Sequence, residues 1–204
     1  MKKFELTTEF ITNAFGKKLF RIKALVEFGD VKAGELGGYV EKEGNVSQAG
    51  NAWVYGNARV SGDARVYGDA RVYGDARVCG NAWVYGNARV YGDARVYGDA
   101  RVYGNAEVSG NAEVYGDARV CGNAWVYGNA DYALVQGFGT EFRCTTFYRG
   151  KNKKIMVNCG CFHGDLEGFR KQVKETRNGK IAKEYLMIAD LMEYHFTSED
   201  SSDE

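Results

Sequence analysis

The chain has 204 residues, and 27 Lys plus Arg balance 27 Asp plus Glu. A formal charge of zero excludes a globally basic nucleic-acid binder and a globally acidic mimic of nucleic acid. Apolar residues at 45% are enough for a packed core and argue against disorder, while no apolar run approaches a membrane span. The polar start Met1-Lys2-Lys3-Phe4-Glu5 does not read as a secretory leader. The five Cys are therefore expected as cytosolic thiols or metal ligands rather than a disulfide framework, and the protein as cytoplasmic.

In chain order, residues 1–43 are expected to cap one end of the element that follows. Leu19 to Phe28 reads as a strand, and Gly37-Gly38-Tyr39-Val40 as a turn into another. Gly44-Asn45-Val46-Ser47-Gln48-Ala49 is a degenerate copy of a six-residue unit. From Gly50 to Gly128 a Gly recurs at every sixth position, with Ala two places later, and Val four places later from Val54 to Val126. A strict hexad points to a parallel β-helix over 44–133. In Ala52-Trp53-Val54-Tyr55, alternation predicts Ala and Val inward, Trp53 and Tyr55 outward. Gly56-Asn57 then turns the corner. Three sides give an 18-residue coil, so residues 18 apart stack into ladders of Arg and Tyr. Stacked like residues are expected to cover the coil edges through cation–π and cross-strand contacts. Residues 50–133 hold eight Arg against seven Asp and two Glu. Each corner Asp is expected to neutralise the Arg two places on, which argues against direct nucleic-acid binding by the prism. Cys79 and Cys121 stand where the hexad mostly has Tyr.

Past residue 133 the period breaks. Glu141 to Arg149 and Ile155 to Phe162 predict two strands around a tip at Lys151-Asn152. Asp165 is expected to cap a helix to about Thr176. Ile181, Tyr185, Ile188, Ala189, Met192 and Phe196 mark one face of a second helix. Residues 134–196 thus form a small ββαα module of charge +4, from 11 basic and seven acidic residues. The acidic stretch at 197–204 is expected to be a disordered tail.

Chemistry concentrates in that module. If paired residues sum to 303, Cys144 lies opposite Cys159, and Cys161 and His163 follow on the same face. Three thiolates and an imidazole are a common structural Zn²⁺ set, with His195 as an alternative fourth ligand. The same Cys also read as buried thiols, or Cys144 and Cys159 as a disulfide. No catalytic residue and no dinucleotide or phosphate fingerprint is found; residue 142 is Phe where Gly137-Phe138-Gly139 would need a third Gly.

The Val-x-Gly-Asn/Asp-Ala-x units of 54–127 resemble the hexapeptide-repeat proteins. That resemblance implies a mainly β protein: a left-handed parallel β-helix with an N-terminal β cap and the C-terminal module. Many such relatives are acyltransferases or γ-type carbonic anhydrases, which need His on the coils, and 50–133 contains none. The layout of Leu36-Gly37-Gly38-Tyr39-Val40, hexads, Thr145-Thr146-Phe147 and Cys159-Gly160-Cys161-Phe162 also resembles uncharacterised proteins of phages and mobile elements in Gram-positive bacteria. Relatives of that layout often carry a His near the position of Arg177, and this chain departs from the pattern there. The resemblance implies a non-enzymatic binding protein in a bacterial cytoplasm, of the anti-CRISPR type, its partner a Cas9-type nuclease. A structural or assembly scaffold, a homo-oligomer and a degenerate transferase are the alternatives.

Overall fold

The computed structural model describes residues 2–197; of the tail predicted at 197–204, Thr197 is the last residue of a helix and 198–204 lie outside the described residues. Thirteen two-residue strands recur every six residues, from β4 (Trp53–Val54) to β16 (Trp125–Val126). Each pairs in parallel with the strand 18 residues away, as in Val54↔Val72 and Val90↔Val108. Three parallel sheets therefore enclose a prism. Every hexad Ala and Val from Ala52 to Val126 is fully buried, so the interior is a column of small and branched side chains. The corner glycines from Gly50 to Gly122 take φ of 58–72°, a region that a side chain resists.

The N-terminal cap lies within the expected residues 1–43 and holds one more strand than expected, Phe4–Thr12. The strands β1 (Phe4–Thr12), β2 (Lys18–Ala24) and β3 (Leu36–Val40) extend one prism sheet, with β3 parallel to the strand Arg59–Val60. Gly37-Gly38 is not a turn: both residues lie inside β3 at ordinary φ. Their smallness serves close approach. A Cβ on Gly37 would sit 2.6 Å from the Val54 carbonyl oxygen, and one on Gly38 would sit 2.5 Å from that of Ala58. Trp53 projects from the coil as predicted, yet is fully buried under the cap between the edges of Phe4 and Phe28. The first coil's open carbonyls are also met. The Lys3 ammonium donates to Gly50 O at 3.2 Å and Ala52 O at 2.9 Å, and Asn45 Nδ2 donates to Gly62 O and Ala64 O.

The C-terminal module keeps the two predicted strands and both helices and adds two strands. Its antiparallel sheet runs β17 (Tyr132–Phe138), β18 (Arg143–Arg149), β19 (Ile155–Cys159), β20 (Phe162–Asp165). Then come α1 (Leu166–Thr176), capped by Asp165 Oδ1 accepting from Gly168 N at 2.9 Å, and α2 (Gly179–Thr197). The predicted apolar face of α2 is its packed face: Tyr185, Ile188, Ala189, Met192 and Phe196 are buried against Phe147, Val157 and Phe169. Among the described residues no helix is long and apolar enough to cross a membrane.

Candidate functional site

The register of the module's sheet decides where its cysteines go. Arg149 pairs with Ile155 and Thr145 with Cys159, so partners sum to 304 rather than 303. The loop of residues 151–153 is one residue longer than a two-residue turn, with Lys153 at φ 61° and Gly150 N donating to Lys154 O. A one-residue slip moves a side chain to the other face. Thr145, Phe147, Val157 and Cys159 accordingly face the helices, and Tyr148 and Asn158 face the prism. Cys144 shares the prism side, its thiol 3.6 Å from Asp117 O.

Cys144 and Cys159 are therefore on opposite faces, and both are free thiols. Cys159 Sγ accepts from Thr145 Oγ1 at 3.1 Å. The strand predicted to run through Phe162 instead stops at Cys159, and Gly160-Cys161 makes a hairpin turn that leaves Cys161 exposed. His163 returns opposite Asn158, on the prism face, with Nε2 3.1 Å from the Tyr148 hydroxyl. His195 lies near the end of α2 with its ring against Phe196. The structure thus does not bring the predicted ligands together, and among the described residues no three His, Cys, Asp or Glu are placed to hold a metal ion.

Of these residues, Cys144 and His163 instead contribute to the dock between module and prism. The ring ladder Tyr67–Tyr85–Tyr103 stacks at 4.8 and 4.9 Å, and its next position is Cys121. The smaller side chain leaves room for Tyr148, which is fully buried. The Tyr148 hydroxyl lies 3.3 Å from Cys121 Sγ, and Asn158 Nδ2 donates to Tyr103 Oη at 3.2 Å and to Cys121 Sγ at 3.4 Å. Burial pushes the Tyr148 phenol far up and that of Tyr103 to about 12, so both are neutral at physiological pH. Backbone edges are closed as well: Arg119 N donates to Thr146 Oγ1, and Lys151 N to Asn123 O. Tyr148 and Asn158 were not singled out in the sequence. The signal for them was Cys121, where the ladder called for Tyr.

The prism surface is mostly self-satisfied. Four Tyr–Tyr pairs stack at 4.8–5.3 Å. The cation–π contacts on the coils go to Trp83, from Arg101 at 4.9 Å and Arg65 at 5.9 Å, rather than to Tyr. The expected pairing of corner Asp with the Arg two places on does not form ion pairs. Two coil arginines are instead met across coils, Arg95 by Glu113 at 3.0 Å and Arg89 by Glu107 at 3.9 Å, and Arg71 is met by Asp30 of the cap at 3.0 Å. The Lys151 ammonium, 2.8 Å away, holds Glu107 below the usual carboxylate range.

One region departs from this pattern. Where the last coil meets the end of α2, Trp125, Tyr127, Asp131, Arg149, Lys153 and Phe196 line an open groove of about 820 Å³. Trp125 is 45% exposed and Tyr127 62% exposed. Ser109 stands where the ring below Tyr127 would be, so the ladder is broken at this point. Arg149 ties the groove walls: Nε pairs with Asp131 Oδ1 at 3.2 Å, a terminal nitrogen donates to Phe196 O at 2.7 Å, and the guanidinium lies 5.6 Å from the Phe196 ring. Asp131 is held in turn by the backbone N–H groups of Tyr127 and Gly128.

The geometry defines a repeat β-helix protein: a parallel β-solenoid closed at one end by a β cap and at the other by an α+β module. Overlapping stretches from 52–68 through 94–110, and the stretch 112–128, match the family model of the YdcK Beta solenoid repeat. The prism is thus similar in sequence to that repeat, and the cap and module lie outside the matched stretches. No curated protein matches the chain.

Proposed function

We propose that the protein is a non-enzymatic binding protein, in which the prism is a rigid post and the groove at its C-terminal end makes the specific contact with another protein. The observation that carries this reading is the convergence of half-exposed Trp125 and exposed Tyr127 on Arg149 and Phe196. Trp, Tyr and Arg dominate binding hot spots, and a groove that shields them from water strengthens each contact. Elsewhere on the coils the rings mostly spend their faces on one another. Affinity purification from a bacterial lysate with wild type and a Trp125→Ala/Tyr127→Ala variant tests it. Proteins retained by the wild type and lost with the variant support the groove, and identical profiles remove it.

The narrower reading, an inhibitor of a Cas9-type nuclease, is supported by resemblance of layout alone. It is tested by guided DNA cleavage with and without the purified protein. Inhibition lost in the same double variant supports it, and undiminished cleavage with no complex on gel filtration ends it. A zinc-held module is a separate proposal, and mass spectrometry of protein purified without chelator decides it. The scaffold alternative has less support, because both prism ends carry covering elements and a sheet edge must be open to propagate.

A further inference from the structure

We propose that a cavity in the C-terminal module binds a small aliphatic α-amino acid as its zwitterion. The cavity holds about 70 Å³ and lies among the turn between β17 and β18, the end of β19, and helices α1 and α2. That is the room of roughly two water molecules, enough for a short branched side chain and too little for an extended one. Its walls are apolar: Phe169 and Tyr185 are buried, with Phe162 and the Cys159 thiol half-buried beside them. Its mouth is polar, with Glu141 and Arg177 exposed. It shares no residue with the groove at Trp125.

The charges at the mouth select the ligand. Among the described residues, neither the Glu141 carboxylate nor the Arg177 guanidinium has an ion-pair or hydrogen-bond partner, and the two do not pair with each other although they line one cavity. A cation or an anion alone would leave one of them unanswered. A free amino acid answers both: its ammonium suits Glu141, its carboxylate suits the guanidinium fork, and its side chain suits the apolar walls. A chain terminus carries only one of the two charges. The turn that carries Glu141 is tightly held. A Cβ on Gly139 would run into the Tyr185 hydroxyl, so the turn lies against the cavity wall. Phe142 takes φ 47°, which a bulky side chain resists, and is 67% exposed. Backbone strain of this kind collects at ligand clamps.

Alkylation of Cys159 by iodoacetamide in the full chain, read by peptide mass spectrometry, tests the proposal. Exposed Cys161, outside the cavity, is the internal control. A Kd of about 1 mM is in keeping with so small a ligand. L-Valine at about 10 mM is then expected to slow Cys159 roughly tenfold and to leave Cys161 unchanged. Calorimetric titration of L-valine reads the same binding independently of the thiol. Arg177→Gln, and separately Glu141→Gln, are expected to weaken binding about tenfold or more. Both side chains are exposed, so the melting temperature and the ligand-free Cys159 rate are expected to hold in these variants. N-acetylvaline, without the ammonium, and valinamide, without the carboxylate, are expected to bind about tenfold more weakly than valine. Neither heat nor protection at about 50 mM L-valine overturns the proposal. Equal slowing of Cys161 without heat also overturns it. So does binding that survives both substitutions, which would mark an apolar gap, or N-acetylvaline bound as well as valine, which would mark an anion site.

Discussion

Gly37 and Gly38 show how a single hydrogen in place of a side chain positions a whole cap. Neither residue needs an unusual backbone; each needs the space that a Cβ would take from the first coil. Gly37→Ala and Gly38→Ala are expected to cost about 3 kcal/mol or more each, the upper end for overpacking a filled core, because the added Cβ would press on backbone carbonyls that cannot give way. Gly56→Ala is the control. Its Cβ would meet nothing within 4 Å, and only φ 58° opposes it, at about 1–2 kcal/mol. Chemical denaturation midpoints check the difference, and equal losses would refute the close-approach account. Ser109 offers the opposite sign. Its hydroxyl is buried without a partner, so Ser109→Ala is expected to stabilise by about 1 kcal/mol.

At the scale of elements, the dock of the module on the prism is the joint on which the C-terminal half depends. Tyr148→Phe removes the hydroxyl shared by Cys121 and His163 and is expected to cost about 1–2 kcal/mol without unfolding the prism. Cys121→Tyr restores the ladder but claims the volume that Tyr148 fills. It is expected to loosen the module, read as selective gain of amide hydrogen exchange in β18–β20 while Ala52 to Val114 stay protected. Uniform exchange in both halves would show that the joint carries no special weight. The contrast between prism and module also explains what the sequence disclosed. Hexad spacing fixes side, register and burial together, so Ala and Val positions, corners and the 18-residue coil were legible from Gly50 onward. Helix α1 and the packed face of α2 were legible too, because a capping Asp and a 3.6-residue period are local signals. The module's sheet was not. Its register turns on one extra loop residue with Lys153 at positive φ, which spacing does not reveal, and that single slip separated Cys144 from Cys159. β1 escaped notice because its alternation is interrupted by an irregularity between Leu6 and Phe10.

For the molecule as a whole, pH reports on burial in two windows. Burial raises Tyr55 and Tyr103 to about 12, whereas the unfolded chain gives up these protons near about 10. The stabilisation from keeping them neutral is complete below pH 10 and is lost as pH rises through 12. Lys3 runs the other way. Burial lowers it from 10.5 to about 8, so its charged form is a burden in the folded state below that pH. The burden lifts between pH 8 and 10.5, where the unfolded chain still holds the proton. Melting temperatures are therefore expected to hold or rise from pH 8 to 10 and to drop steeply above it. Lys3→Met is expected to flatten the first limb alone. A monotonic fall from pH 8 in the wild type would contradict the buried ammonium.

The 18-residue pairing distance bears on how the chain is made. A strand leaving the ribosome finds its partner among residues already synthesised, so coils are laid down in order as translation proceeds, each on the one before. Lys3 closes on Gly50 and Ala52 only once the first corner has emerged, which makes the cap the starting platform. Until residues 132–197 follow, the growing prism carries a naked edge of unpaired N–H and C=O groups, open to any other nascent strand. The module that docks last is then a stopper, and chains cut short before residue 132 are the ones expected to aggregate in the cell.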